Sequence, residues 1–121
     1  RIRDKGAVVA MHSDGYIMSI MDQFIDLGVQ VLHPCQESAG MDQVYIKETY
    51  GDKLVMHGGL DVMDSLLTLE GEALMDYVRK QFEICKPGGG FIYNGSHLIQ
   101  PDISPEKLCS VYRLDNELAM Y

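Results

Sequence analysis

Four short apolar runs alternate with helical patterns along this chain, and each run leads into a polar turn that carries a histidine. The runs are Val8-Val9-Ala10-Met11 before His12, Val31-Leu32 before His33, Leu54-Val55-Met56 before His57, and Phe91-Ile92-Tyr93 ahead of His97. Consecutive strand–helix units have little choice of fold. A helix-length crossover returns the chain to the same end of the sheet, so successive strands lie parallel with right-handed connections. Parallel strands deliver their functional side chains at their carboxyl ends, which makes these histidines one wall of an expected site.

Each unit can be read from its own residues. The continuous run at 7–11 reads as a strand covered on both faces. Ile17, Met21, Phe24 and Ile25 recur at helical spacing from Gly15, and Gly28 ends that helix in a left-handed conformation. A strand at 29–32 follows, then a helix capped by Asp42 and ended at Gly51, with Val44, Tyr45 and Tyr50 for its inner face. The third strand spans 53–56, and a short helical turn is expected around 62–67. The next helix has Glu70 and Glu72 in its first turn and a stripe of Leu74, Tyr77, Val78, Phe82 and Cys85, before Pro87-Gly88-Gly89-Gly90 stops it. The last unit is a strand at 91–93 and a helix capped by Ser104, with Pro105 at its first position and Leu108, Val111 and Tyr112 inward.

Composition narrows the function classes. The chain has 121 residues, 46% hydrophobic and 23% charged, enough for one domain with a core of its own. A net charge of -8 with ten scattered basic residues argues against a nucleic-acid surface. No apolar stretch approaches the roughly 18 to 20 residues of a membrane span, and no secretory leader opens the chain. Three cysteines make no disulfide framework, so a cytoplasmic location is expected. Cys85 and Cys109 fall in helical patterns and are expected to pack, whereas Cys35 sits at a strand end. The chain opens at Arg1 rather than Met, as a processed or excised piece would.

Four parallel strands fit either a small open sheet or half of an eight-stranded barrel. The half-barrel leaves two unpaired edges and an apolar interior facing water, so it needs a partner: the missing half or a second copy. Polar clusters along the chain bear on the choice. They are His12-Ser13-Asp14-Gly15; Tyr50-Gly51-Asp52-Lys53-Leu54 with His57-Gly58-Gly59-Leu60-Asp61; Pro87-Gly88-Gly89-Gly90-Phe91-Ile92; and Gly95-Ser96-His97 with Gln100-Pro101-Asp102-Ile103-Ser104-Pro105-Glu106. In order and spacing the chain resembles the C-terminal half of the uroporphyrinogen decarboxylase superfamily. That group of (β/α)8, or TIM, barrels also includes corrinoid-linked methyltransferases.

The resemblance implies an α/β half-barrel of four βα units over residues 1–121, acting on a small molecule. Its decarboxylases carry an Asp-Gly where Asp14-Gly15 stand and a Gly-His-Gly turn that His97 matches. Its methyltransferases carry His-x-Cys at the first turn and a second cysteine after the last strand, all binding zinc. Here His12 matches that histidine, while Asp14 and His97 stand in place of the cysteines. The expected zinc set is therefore His12, Asp14 and His97, with Cys35 as a substitute ligand and one position open. The methyl reading also implies a corrinoid on a partner protein. The same side chains can instead be hydrogen-bonding groups in a metal-free pocket.

Chemistry ranks the two branches. A carboxylate-rich tetrapyrrole needs arginine or lysine, yet the strand-end turns offer Asp14, Glu37 and Asp61 and no basic residue. Methyl transfer is therefore expected ahead of tetrapyrrole decarboxylation. A catalytically silent half-barrel that binds a ligand or dimerises is the non-enzymatic alternative. Asp14 and His97 are the expected catalytic groups, with Asp61 as either an acid–base residue or a helix cap. Gly58-Gly59 gives a tight turn and room for a bound cofactor to approach the backbone. His33 and His57 read as structural, since lone strand-end histidines usually satisfy nearby backbone groups.

Overall fold

The structure is a computed structural model that describes residues 3–120, so Arg1, where the chain opens, lies outside it. Four parallel strands, β1 (Ala10–His12), β2 (Val31–His33), β3 (Val55–Leu60) and β4 (Phe91–Gly95), form one sheet in chain order. The connections carry α1 (Met21–Leu27), α2 (Gln43–Tyr50), α3 (Ser65–Thr68) and α4 (Gly71–Cys85), and α5 (Pro105–Leu118) follows the last strand. The α/β class, the strand count and the parallel sense agree with the sequence reading. Among the described residues no helix is long and apolar enough to cross a membrane.

The register decides what each sheet face does. Met11 pairs with Leu32, Leu32 with Met56, and Met56 with Phe91. These side chains point to the same face, and the two apolar clusters among the described residues lie against it. One cluster gathers Leu32, Met56, Met21, Ile46 and Cys85; the other gathers Leu60, Leu66, Leu74, Val78 and Val111. The alternate positions Ala10, Val31, Val55 and Ile92 belong to neither cluster, and Ile92 is 48% exposed. One face is thus bare, against the reading of the run at 7–11 as a strand covered on both sides. A row of histidines shares it: His12 is the register partner of His33, and His57 continues the row one position beyond the Leu32–Met56 pair.

Strand limits differ from the sequence reading because pairing, and not apolar content, sets them. The first strand begins at Ala10 instead of Ala7, and Val8 is 62% exposed at the edge. The third runs on through two glycines to Leu60, because Gly58, Gly59 and Leu60 pair with Tyr93, Asn94 and Gly95. Helix signals fare better. Gly28 closes α1 at φ 92, Asp42 caps α2 by accepting from Tyr45 N at 2.9 Å, and Ser104 caps α5 by accepting from Lys107 N at 3.1 Å.

Three packing expectations are corrected. In α2 it is Gln43, Ile46 and Tyr50 that turn inward, while Val44 and Tyr45 are about half exposed. The Asp42 cap sets the phase of that helix, and Gln43 is kept inside by donating to the Cys35 carbonyl at 2.9 Å. Helix α1 is preceded by a 3-10 turn at Met18–Ile20 and so is shorter than the stripe suggested. Cys109 is exposed on α5, although Cys85 is buried as expected.

Candidate functional site

At the carboxyl ends of β1 and β2 the two histidines meet. His12 Nδ1 lies 2.7 Å from His33 Nδ1, the rings stack with centroids 4.9 Å apart, and His12 Nε2 lies 3.2 Å from Asp14 Oδ2. On its other side His33 Nε2 lies 3.1 Å from the Gly95 carbonyl at the end of β4. His57 closes edge-on to His33 at 4.8 Å, and its Nε2 accepts from Asn94 Nδ2 at 3.2 Å. A chain of polar contacts therefore crosses the whole strand-end edge of the sheet. Burial lowers the pKa of His33, the Gly95 contact acts against this, and the neighbouring His57 and His12 rings add to the lowering.

Two open grooves flank this row. One, of about 530 Å³, is lined by His12, His33, Asn94, His97, Leu98 and Ile99 among others; the second, of about 380 Å³, is lined by Asp14, Gln36, Met63, His97 and Gln100. His97 is common to both and is exposed, so it stands at their junction. Leu98, 76% exposed, gives the first groove an apolar rim.

The structure thus places His12 and His97 on the first groove and Asp14 and His97 on the second, with His12 and Asp14 in contact. It does not gather them as a metal centre. Among the described residues no three His, Cys, Asp or Glu side chains are placed to hold a metal ion, and both nitrogens of His12 are already engaged. Cys35 leaves the set altogether. It is 2% exposed, its thiol donates to the Leu32 carbonyl at 3.7 Å within the apolar core, and burial pushes its pKa up to about 12. The residues present do not fit zinc in this arrangement.

Asp61 is a buried anchor. It is 3% exposed and accepts from Ser38 N at 3.1 Å, Met63 N at 3.0 Å, Asp64 N at 3.2 Å and Gln36 Nε2 at 3.4 Å. Both oxygens are committed to holding the loops after β2 and β3 together, which is the capping alternative enlarged. Gly58 and Gly59 likewise serve packing. A Cβ on Gly58, at φ +147, would lie 2.2 Å from the Pro34 carbonyl oxygen, and one on Gly59 would lie 2.8 Å from the Phe91 ring. Protein already occupies the space expected for a cofactor.

His33, Asn94 and the Gly95 carbonyl are the site groups that sequence reasoning missed. The signal for His33 was present, because two histidines closing adjacent parallel strands face one another across the ladder. Gly95 carried none, since its part is played by a backbone oxygen. No family model matches the chain, and neither the curated proteins nor the solved structures contain a match to it.

Proposed function

We propose that this chain is the C-terminal half of a (β/α)8-barrel enzyme of the uroporphyrinogen decarboxylase superfamily, acting on a small molecule over the strand-end histidines. The bare sheet face and the unpaired edges of β1 and β4 support the half-barrel, which is completed by four further βα units or by a second copy. Three free cysteines suit a reducing compartment, here the cytoplasm.

The reaction we infer is methyl transfer to a corrinoid held by a partner protein. The corrinoid would accept the methyl carbon, and this chain would stabilise the group left behind. The observation that carries this reading is the Asp14–His12–His33 array beside the groove. When the bond to the methyl carbon breaks, the leaving heteroatom keeps the electron pair and needs a proton, which a protonated His12 can give. Asp14 balances the charge while His12 holds that proton. His97, at the junction of the two grooves, is placed to bind the same heteroatom or its neighbour. Tetrapyrrole decarboxylation ranks second, because a polycarboxylate would meet Asp14 with no arginine or lysine in the strand-end turns.

The test pairs this chain with the N-terminal half of a superfamily methyltransferase. Reduced cobalamin is supplied with O-, N- and S-methyl donors, and methylcobalamin is read by absorbance. Formation that disappears in His12→Gln is expected. Carbon dioxide release from uroporphyrinogen without methyl transfer would replace the proposal with the decarboxylase reading.

A further inference from the structure

The second groove, the one that Asp14 lines, is walled by hydrogen-bond acceptors. Gln36 lines it too, and although only 9% exposed its amide is not fully paired. The amide nitrogen donates to Ser38 Oγ at 2.7 Å and to Asp61 Oδ1 at 3.4 Å. Asp61 already takes the backbone N–H groups of Ser38, Met63 and Asp64, so its oxygens act as acceptors alone. Turning the Gln36 amide over would set Oε1 against one of them. Asp61 thereby fixes which end of the amide is left over. Among the described residues Gln36 Oε1 has no partner, yet the enclosed side-chain atoms without one are Gln81 Oε1 and Tyr93 Oη. Gln36 Oε1 is therefore not enclosed, and the opening it meets is the groove. An acceptor so nearly buried loses its water without gaining a partner, a cost that a ligand donor relieves.

Two further acceptors share the wall. Asp14 meets His12 through Oδ2 and keeps Oδ1 without a protein partner among the described residues. Gln100 turns its amide nitrogen to the Leu98 carbonyl at 3.1 Å, which leaves its oxygen for a ligand. The remaining lining is His97 and the half-exposed Met63, with no lysine or arginine. We propose that this groove binds a small protonated amine, whose N–H groups donate to Gln36 Oε1 and Asp14 Oδ1. The carboxylate asks for positive charge and the amide oxygens ask for N–H donors, and an ammonium group supplies both. An anion would be repelled by Asp14, and an alcohol, with one O–H to donate, would satisfy a single acceptor. The Met63 thioether suits an alkyl chain on the amine. Asp61 does not touch the ligand; it acts through Gln36 and is a positioning residue. The inference rests on the function proposed above only for what the amine does. There it is the part of the substrate that is held, while the methyl-bearing heteroatom lies beside His12 in the first groove, which meets the second at His97.

Titration of the chain with ethylammonium chloride, followed by NMR of the glutamine side-chain amides, tests the binding, with sodium chloride, ethanol and sodium acetate as comparisons. Expected is a saturable shift of the Gln36 amide with ethylammonium alone, while the buried Gln81 amide stays in place. Asp14→Asn and Gln36→Met should each weaken binding about tenfold, as the loss of a hydrogen bond to a charged group does. The affinity of Gln36→Met is read at the Gln100 amide, and Asp14→Asn, at an exposed position, decides the matter if Gln36→Met does not fold. An equal response to ethanol or to sodium chloride, or an ethylammonium affinity unchanged in Asp14→Asn, would overturn the proposal. Ethylammonium binding without methyl transfer would discard the reaction and keep the amine site. Methyl transfer from donors that carry no amine, with no ethylammonium shift, would discard the amine site and keep the reaction.

Discussion

Asp14 and Asp61 both stand just past the carboxyl end of a strand, and the structure gives them opposite fates. Asp14 is about half exposed and meets one partner, the His12 ring. Asp61 is buried and collects three backbone N–H groups and an amide from two loops. A carboxylate becomes structural when neighbouring loops turn their orphaned donors toward it, and it remains available for chemistry when they do not. Position at a strand end does not distinguish the two.

The contrast can be broken in order of expected effect. Asp61→Ala should leave buried N–H groups unpaired and destabilise the chain by about 4 kcal/mol, read as a lowered midpoint in urea. A loss below about 1 kcal/mol would show that the loops hold without their anchor. Gly58→Ala comes next, at about 3 kcal/mol, because a backbone carbonyl cannot step aside for the new Cβ. Thermal unfolding should reveal it; an unchanged midpoint would return Gly58 to the cofactor reading.

The open end of the site is sensitive to pH instead. Burial holds His33 below its ordinary value of 6.5, so as acid is added the unfolded chain takes up the proton before the folded one. The stability contributed by the neutral ring is complete above that value and is lost as pH falls below it. Stability measured from pH 8 to 5 should decline over the lower part of this range, and His33→Gln should flatten the decline. The smallest effect belongs to Asp14→Asn, which should cost less than about 0.5 kcal/mol, as exposed pairs do. If it instead approached the cost at Asp61, the two carboxylates would no longer differ in kind.

How much of this was legible in the sequence follows the range of the forces involved. Local signals were readable: Gly28, Asp42 and Ser104 end or begin helices through backbone geometry within a turn or so. Four parallel strands followed from alternation alone. The limits of β3 did not, because two glycines have no strand propensity and were drawn into the sheet by pairing with β4. At the site, His12, Asp14 and His97 were found from turn positions. The contact that engages His12 was hidden, since it depends on where His33, held at the Gly95 carbonyl, meets it across the sheet. Cys35 misled for the same reason, as a strand-end residue whose thiol turns into the core.

The order of the strands also bears on how the chain reaches this shape. Each strand lies beside the one that precedes it in the chain, so every pairing closes only the connection between neighbours, with α1, then α2, then α3 and α4 inside it. No unit has to wait for a distant segment, and the entropy of closure is met in small, similar steps. Folding can then proceed as a zipper from whichever strand–helix unit orders first. Either free edge of the finished sheet remains a template on which another such unit can continue the same process.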